Sequence, residues 1–210
     1  MEAVPEDICL VNVSKAYGER KVLTEVSLQL KGGRRYCLMG ASGVGKTTLL
    51  RLILGLEQPE VGAVTGTEGK SFSVVFQENR LFEFLDGVSN IRAVQSRQRK
   101  SAGKQRGYKE GQRSPGPERL LGQLLDQEDI GRTVAHMSGG MKRRVALARA
   151  LAHPSDFLLL DEPFSGLDGR SKQRAISVIK KYQKGRTIIL VTHQEEDAAE
   201  MGAEIIRLPS

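Results

Sequence analysis

The sequence predicts an α/β fold: a parallel sheet flanked by helices, with an antiparallel β subdomain and an inserted helical subdomain. The first observation is a glycine-rich loop, Gly40 to Thr47, placed between a strand-like segment and a helix-like segment. The second is that short apolar runs, such as 157–160 and 187–191, alternate with segments of helical character. Apolar strands that alternate with helices indicate a parallel sheet covered on both faces, which binds ligands at the carboxyl ends of its strands.

The N-terminal third predicts an antiparallel meander beside this sheet. Val26, Leu28 and Leu30 alternate with polar residues, as the side chains of a half-buried strand do. Residues 57–69 are rich in Gly, Pro and Glu and predict turns and short strands. The other elements predicted in this part of the chain are strands over 8–13, 35–39 and 72–76 and a helix over 48–54.

Beyond Gln77 the apolar periodicity weakens before it returns. Residues 96–117 have few apolar side chains and four glycines, which predicts a mobile loop. Pro154 ends a helix that starts after Ser138 and runs to Leu151. The other predicted elements are helices near 118–121 and over 171–184, and buried strands over 157–160 and 187–191.

The loop from Gly40 to Thr47 fits the P-loop pattern of glycine, four residues, glycine, lysine and a hydroxyl residue. Its glycines let several backbone N–H groups point at one anion. Lys46 is predicted to lie against the outer phosphates of a nucleotide, and the Thr47 hydroxyl to ligate Mg²⁺. The alternative is a glycine-rich turn that binds nothing. The predicted phosphate-binding residues are Gly40, Ala41, Ser42, Gly43, Val44, Gly45, Lys46, Thr47 and Thr48.

An acidic pair follows the buried run 157–160. Asp161 is predicted at the tip of a strand, where a P-loop protein keeps the carboxylate that holds Mg²⁺. Glu162 beside it is predicted to polarise the water that attacks the γ-phosphate, and such general-base assistance is worth about 10²–10⁴-fold. The alternative is a strand-end turn that caps a helix, and the preceding P-loop disfavours it.

The composition is that of an ordinary globular chain. Of 210 residues, 39% are hydrophobic and 27% are charged, and no apolar run approaches the roughly 20 residues that a transmembrane helix requires. We therefore expect any membrane role to use a partner chain. The acidic N-terminus lacks the basic and apolar regions of a signal peptide, so we expect a cytosolic protein. Cys9 and Cys37 are expected to be buried, reduced thiols without a chemical role.

The net charge of +7 is concentrated in one segment. Between Arg97 and Arg113, seven basic residues accompany a single acid, Glu110. One interpretation is contact with nucleic acid, for which the single aromatic residue, Tyr108, offers little base stacking. Another is contact with anionic lipid headgroups. We prefer a solvated loop without a partner.

Together with the P-loop and the acidic pair, the segment Met137 to Met141 gives the chain a resemblance to the ATP-binding cassette (ABC) ATPases. The resemblance covers nearly the whole chain. This Met-Ser-Gly-Gly-Met segment stands where the family has its Leu-Ser-Gly-Gly-Gln signature. The resemblance implies a P-loop NTPase (RecA-like) fold, ATPase activity with ATP and Mg²⁺, and an active head-to-tail dimer. Ser138, Gly139 and Gly140 are expected to start a helix whose positive end meets the nucleotide of the second cassette.

The resemblance also implies roles for single residues. Tyr17 is similar to the aromatic residue that stacks on adenine, and Val22 to the small apolar residue beside it. Gln77 is similar to the glutamine that senses Mg²⁺ and the attacking water, and His193 to the histidine that contacts the γ-phosphate. Asp168 lies in a segment, 165–168, similar to the D-loop that crosses between cassettes. Taken singly, Tyr17 is equally a surface aromatic, Gln77 a strand cap and His193 a solvated histidine. The implied catalytic residues are Glu162, His193 and Gln77, and the implied metal ligands are Thr47, Gln77 and Asp161.

Two features depart from the family pattern. Met141 replaces the glutamine of the signature, which removes a hydrogen-bonding side chain but leaves Ser138 and Gly140. The basic, glycine-rich segment replaces clear helices between Gln77 and Ser138. The predicted domains are a nucleotide-binding α/β core with its antiparallel subdomain over 1–77 and 146–210, and a helical subdomain over 78–145 that contains the basic segment (about 96–117).

Residues 75–82 and 138–141 are most similar to the ATPase subunits of bacterial importers for nitrate, sulfonate and taurine. That resemblance implies a second nucleotide-binding subunit, a transmembrane permease and a solute-binding protein as partners, a place on the inner face of the cell membrane, and no nucleic acid. The alternative function is an ABC-type ATPase that acts on nucleic acid or ribosomes through the basic segment. A cassette of this kind also needs a groove that receives a permease helix. Four apolar residues are candidates for lining that groove or, equally, for the core of the helical lobe: Leu81, Phe82, Phe84 and Leu85.

Overall fold

The computed structural model describes residues 7–101, 116–183 and 185–208, which form two compact units. The P-loop unit comprises residues 7–72, 155–162 and 185–208, and the helical unit comprises residues 73–101, 116–154 and 163–183. The elements in chain order are β1 (Ile8–Tyr17), β2 (Arg20–Leu30), β3 (Arg35–Met39), α1 (Lys46–Ile53), β4 (Val61–Thr65), β5 (Phe72–Val75), α2 (Gly87–Ser101), α3 (Pro117–Leu121), α4 (Gly139–Ala152), β6 (Phe157–Asp161), α5 (Gly169–Tyr182), β7 (Thr187–Val191), α6 (Glu195–Met201) and β8 (Glu204–Arg207).

The P-loop unit contains an antiparallel and a parallel sheet. The antiparallel sheet has the strand order β2-β1-β4, as the predicted meander and the short strand within 57–69 require. In the parallel sheet β6, β7, β3 and β8 lie side by side. Every residue of β6 and β7 is buried, which explains why their sequences are continuous apolar runs rather than alternating ones.

Three adjacent parallel strands of this sheet carry the candidate site. β3 leads into the P-loop, β6 ends at Asp161, and β7 is followed by Thr192 and His193. Because parallel strands end at the same edge of a sheet, the three segments converge there. Ligand binding at this edge is the usual arrangement in open α/β sheets.

The helical unit is organised around α4, which contacts α2, α3 and α5. Ser138 caps α4, because its side chain accepts a hydrogen bond from the backbone N–H of Met141 at 3.3 Å. Asp168 caps α5 in the same way, accepting from the backbone N–H of Ser171 at 2.8 Å. The segments that contain Ser138 and Asp168, both predicted to be functional, therefore end at a helix N-terminus.

The structure corrects the prediction of a loop over 96–117. The helix α2 continues through Ser101, and α3 begins at Pro117. Arg, Gln and Lys are good helix formers, so the lack of apolar residues did not exclude a helix. The rest of the basic segment, 102–115, lies outside the described residues, and its role stays a prediction.

The sequence predicted that both cysteines are buried, reduced thiols. Both thiols are free, and Cys37 is buried, which raises its pKa to about 12, whereas Cys9 is only partly buried.

Among the described residues, no helix is long and apolar enough to cross a membrane. The elements α6 and β8 had no counterpart in the sequence prediction.

Candidate nucleotide-binding site

The P-loop has a backbone conformation that glycine makes possible. Gly43 and Gly45 have φ angles of 80° and 101°, in the left-handed region that side chains disfavour. A Cβ atom on Gly45 would lie 2.7 Å from Cδ2 of Leu23 and 2.9 Å from the carbonyl oxygen of Val22. The loop therefore packs directly against β2 and is not an adaptable surface turn.

Lys46 extends over this loop and is almost completely buried, with 7% of its surface exposed. Its Nζ atom donates hydrogen bonds to the carbonyl oxygens of Gly40, at 2.8 Å, and Ala41, at 2.9 Å. These carbonyls hold a positive charge over the loop, where it favours an anionic phosphate.

Thr47 and Asp161 provide two neighbouring oxygen ligands. The Thr47 hydroxyl donates to Oδ2 of Asp161 at 3.1 Å, which joins the start of α1 to the end of β6. Mg²⁺ is commonly held by one or two carboxylates together with substrate phosphates. Among the described residues no group of three or more His, Cys, Asp or Glu side chains is placed to hold a metal. The hydroxyl of Thr47 and the carboxylate of Asp161 fit Mg²⁺ that is bound together with nucleotide phosphates.

Glu162 lies beside this pair in a strained conformation, with a φ angle of 49°. Its Oε1 atom lies 3.1 Å from Nε2 of His193, and in the described part of the chain Oε1 has no well-aligned hydrogen bond. Burial raises the pKa of the Glu162 carboxyl, and the charge of Asp161 adds to this, while His193 and Lys46 oppose it. A carboxylate with a raised pKa is a stronger base, as activation of a water requires.

The His193 loop is fixed by a buried pair that the sequence prediction did not include. The Thr192 hydroxyl donates to Oδ2 of Asp197 at 2.6 Å and accepts from the backbone N–H of Gln194 at 3.2 Å. Asp197 has only 2% of its surface exposed. The signal for this pair is an acid in the first turn of α6, a few residues after a strand-end threonine.

The predicted adenine contact, Tyr17, is also held by side chains. Tyr17 has 45% of its surface exposed, and its hydroxyl bonds to Glu57. Glu57 in turn lies 3.2 Å from Nη1 of Arg51 on α1, and the Lys15 ammonium lies 5.6 Å from the ring centroid. Glu57 is thus a second residue that sequence reasoning missed, because it lies 40 residues from Tyr17. Val22, beside Gly45, is half-buried.

In the helical unit, the side chain of Gln77 is exposed, whereas its backbone carbonyl group is hydrogen-bonded. Its carbonyl oxygen accepts a hydrogen bond from Nη2 of Arg143 at 2.5 Å. The proposal that Gln77 shares a metal ion with Thr47 and Asp161 involves both units and stays a prediction.

The signature segment and the predicted D-loop are in direct contact within the helical unit. A Cβ atom on Gly140 would lie 2.9 Å from the carbonyl oxygen of Gly166, so a larger residue does not fit there. A cavity of about 520 Å³ opens beside both segments, and Ser138 and Asp168 are among the residues that line it. Hydrogen bonds from Ser171 lower the pKa of the Asp168 carboxyl and keep it charged.

Met141 is 7% exposed and packs inside the helical unit. The residue that departs from the family signature is therefore a core side chain in this protein, and the exposed polar surface of the segment comes from Ser138 and Gly139.

Comparison with known proteins decides the family. Residues 23–165 match the sequence pattern of the ABC transporter family. The chain belongs to this family. It is 38% identical to the sulfate/thiosulfate import ATP-binding protein CysA of Anthoceros angustus, over 96% of this chain and 54% of that protein. It is 36% identical to the aliphatic sulfonates import ATP-binding protein SsuB 1 of Rhodococcus jostii, over 95% and 78% of the two chains.

The solved structures agree with this membership. The fold matches a dimeric, post-hydrolysis ATP-binding cassette bound to ADP and Pi, with a TM-score of 0.77 and 30% identity over 96% of this chain and 94% of that chain. The present chain spans about half the length of some curated relatives that it matches.

These comparisons confirm the ABC-type ATPase cassette, the P-loop NTPase fold and the similarity to importers. The matched solved structure is bound to ADP and Pi, and the two curated relatives are described as ATP-binding proteins. The roles of single residues and the predicted domain boundaries stay predictions.

Proposed function

We propose that the chain is the ATP-binding and ATP-hydrolysing subunit of an importer that drives a separate membrane permease. The observation that carries the proposal is one edge of the parallel sheet, where a held lysine, a hydroxyl-carboxylate pair and a strained glutamate lie together. A cation for phosphate, oxygen ligands for Mg²⁺ and a base for water are the parts that phosphoryl transfer to water requires.

Nucleotide binding uses the P-loop unit. Tyr17 stacks on adenine with Val22 beside it, the amides of 40–48 surround the phosphates, and Lys46 lies against the outer ones. Thr47 and Asp161 would hold Mg²⁺, which would neutralise charge on the phosphate oxygens, and Gln77 as a further ligand stays what the resemblance implies.

Hydrolysis uses Glu162 as the base. A water oxygen attacks the γ-phosphorus, the bond to the ADP oxygen breaks, and one water proton passes to the Glu162 carboxylate. His193, 3.1 Å from Glu162 Oε1, orients that carboxylate and contacts the γ-phosphate.

The helical unit serves the nucleotide of a second subunit. Ser138, Gly139 and Asp168 are exposed, although the first and last of them cap helices. Such a surface suits a ligand brought by another molecule. The similarity to a dimeric cassette bound to ADP and Pi supports a homodimer in which Ser138, Gly139, Gly140 and Asp168 complete the partner's site.

A permease helix is proposed to contact the segment that follows Gln77. Phe82 and Phe84 are 47% and 78% exposed, with ring centroids 6.0 Å apart, whereas Leu81 and Leu85 are half-buried. Two adjacent exposed aromatic rings favour the docking role for Phe82 and Phe84 over a core role.

The import relatives support a cytoplasmic subunit on the inner face of the cell membrane, a solute-binding protein as a further partner, and a sulfur oxyanion as solute. None of the relatives named above is described as acting on nucleic acid.

The decisive experiment compares MgATP hydrolysis by the purified wild-type chain and by Glu162→Gln, with Glu68→Gln as an exposed control in the same unit. Glu162→Gln is expected to bind ATP, to lower kcat at least 100-fold and to accumulate as an ATP-bound dimer in size-exclusion chromatography. Absence of wild-type hydrolysis would contradict the proposed function, and a wild-type rate in Glu162→Gln would exclude Glu162 as the base.

A further inference from the structure

The segment containing Gln77 is bonded to the helix that begins at the signature. Arg143 of α4 donates from Nη1 to the carbonyl oxygen of Phe76 at 2.6 Å and from Nη2 to that of Gln77 at 2.5 Å. Arg143 has only 6% of its surface exposed. Both bonds are charge-assisted, and the planar guanidinium fits two successive carbonyls in a way that a lysine ammonium does not.

A second arginine of α4 continues this pattern. Arg149 donates from Nη1 to the carbonyl oxygen of Arg80 at 2.8 Å and from Nη2 to that of Asn79 at 3.2 Å. Arg80 itself has a φ angle of 46° and stacks its guanidinium 4.1 Å from the centroid of the Phe76 ring. The two arginines of α4 therefore donate hydrogen bonds to four of the five backbone carbonyl groups in 76–80.

The other end of α4 is the signature segment. Ser138 caps the helix, and Gly140 lies against Gly166 of the predicted D-loop. Because α4 is one continuous helix of 14 residues, we expect a displacement of 76–80 either to move the signature or to break charge-assisted bonds.

We propose that Arg143 is a positioning residue that couples Gln77 to the signature segment, so that the state of one nucleotide site is transmitted through α4 to the surface that meets the other. The inference rests on the proposed function, in which Gln77 senses Mg²⁺ and the attacking water. Arg143 acts on turnover through Gln77 and makes no contact with nucleotide.

The test is a double-mutant cycle on the full chain, with ATP and varied Mg²⁺. The variants are Arg143→Lys, Gln77→Ala and the double variant, and the control is Arg92→Lys, the same change at an exposed ion pair with Glu118 in the same unit. In the wild-type background Arg143→Lys is expected to lower kcat at least ten-fold and to raise the half-activating Mg²⁺ concentration. The KM for ATP is expected to change less than two-fold. In the Gln77→Ala background the same change is expected to alter kcat less than two-fold, because the residue through which it acts is gone.

An equal loss of kcat in both backgrounds would overturn the coupling, as would a wild-type kcat in Arg143→Lys. Arg149→Lys provides a second cycle if Arg143→Lys does not fold. It is expected to lower kcat about three-fold in the wild-type background only, and an equal loss in the Gln77→Ala background again overturns the inference. Failure of the proposed function is recognised separately, because the wild-type chain then shows no hydrolysis at all.

Discussion

In the P-loop unit the residues predicted to bind the phosphates and the metal and to catalyse hydrolysis contact one another or the loop that carries them. Lys46 bonds to the loop carbonyls of Gly40 and Ala41, Thr47 bonds to Asp161, and His193 lies at an ion-pair distance from Glu162. In the helical unit, by contrast, Ser138 and Asp168 bond to the first turns of their own helices and stay exposed. The first arrangement is a cradle that is formed before the ligand binds, and the second is a surface that another molecule has to complete.

This difference predicts separable functions. Changes in the P-loop itself should remove nucleotide binding by the isolated chain, whereas changes in the helical unit should leave binding intact and lower turnover. Nucleotide affinity and kcat, measured on the same variants, therefore test the comparison directly.

The largest expected effect is that of Gly45→Ala. A side chain at φ 101° is strained, and its Cβ would lie 2.9 Å from the carbonyl oxygen of Val22, which belongs to the backbone and cannot rotate away. We expect ATP affinity to fall at least 100-fold in an equilibrium binding assay. Gly131→Ala, where nothing lies within 4 Å, is the control and is expected to bind as the wild type does. Normal affinity in Gly45→Ala would show that the cradle is not preformed.

Gly140→Ala tests the other side of the comparison. Its Cβ would press on the carbonyl oxygen of Gly166 and separate the signature segment from the D-loop. We expect kcat to fall at least ten-fold while ATP affinity stays within two-fold of the wild type. A parallel loss of affinity would mean that the two units do not have separable roles.

Ser138 combines helix capping with the proposed contact to the partner's nucleotide, and two substitutions separate these roles. Ser138→Ala removes the cap and is expected to lower the free energy of unfolding by about 1 kcal/mol. Ser138→Asn keeps a capping side chain, so we expect wild-type stability in urea denaturation. If the nucleotide contact matters, both variants lose kcat, and recovery of kcat in Ser138→Asn would assign the residue to capping alone.

The smallest expected effects are opposite pH dependences of stability in the two units. Burial raises the pKa of Glu162, so its charged form destabilises the fold as the pH rises above the ordinary pKa of a glutamate. Glu162→Gln removes this charge and should therefore raise Tm at pH 8 more than at pH 5. Hydrogen bonds from Ser171 lower the pKa of Asp168, so its carboxylate stabilises the fold at neutral pH and loses this effect in acid. Asp168→Asn should therefore lower Tm at pH 7 and leave Tm unchanged at acidic pH, where the wild-type carboxyl is protonated. Thermal unfolding across pH measures both, and shifts of the same sign would contradict the contrast.

Local patterns were sufficient for most of the site. The glycines of the P-loop, the acids at the end of β6 and the helix start at Ser138 are recognisable because backbone conformation and helix starts depend on neighbouring residues, whereas Asp168 was assigned only through the family resemblance. Strands such as β6 and β7 were predicted at nearly their observed bounds because a fully buried strand is a continuous apolar run.

Other residues were not recognisable from local patterns. Polar composition concealed α2, and nothing in the signature pattern indicates that Met141 packs inward. The partners of Tyr17 and Gln77 lie 40 and 66 residues away, at Glu57 and Arg143, so no short pattern contains both members of either pair.

By itself the sequence determined the class of chemistry: a phosphate loop, an acidic pair and a signature segment, each encoded within a few consecutive residues. Only the tertiary structure decided which side chains orient the other residues near the site, namely Glu57 at Tyr17, Asp197 at Thr192 and Arg143 at Gln77. The physical reason is that conformation at a motif depends on local sterics, whereas orientation depends on hydrogen bonds between elements that meet only when the chain folds.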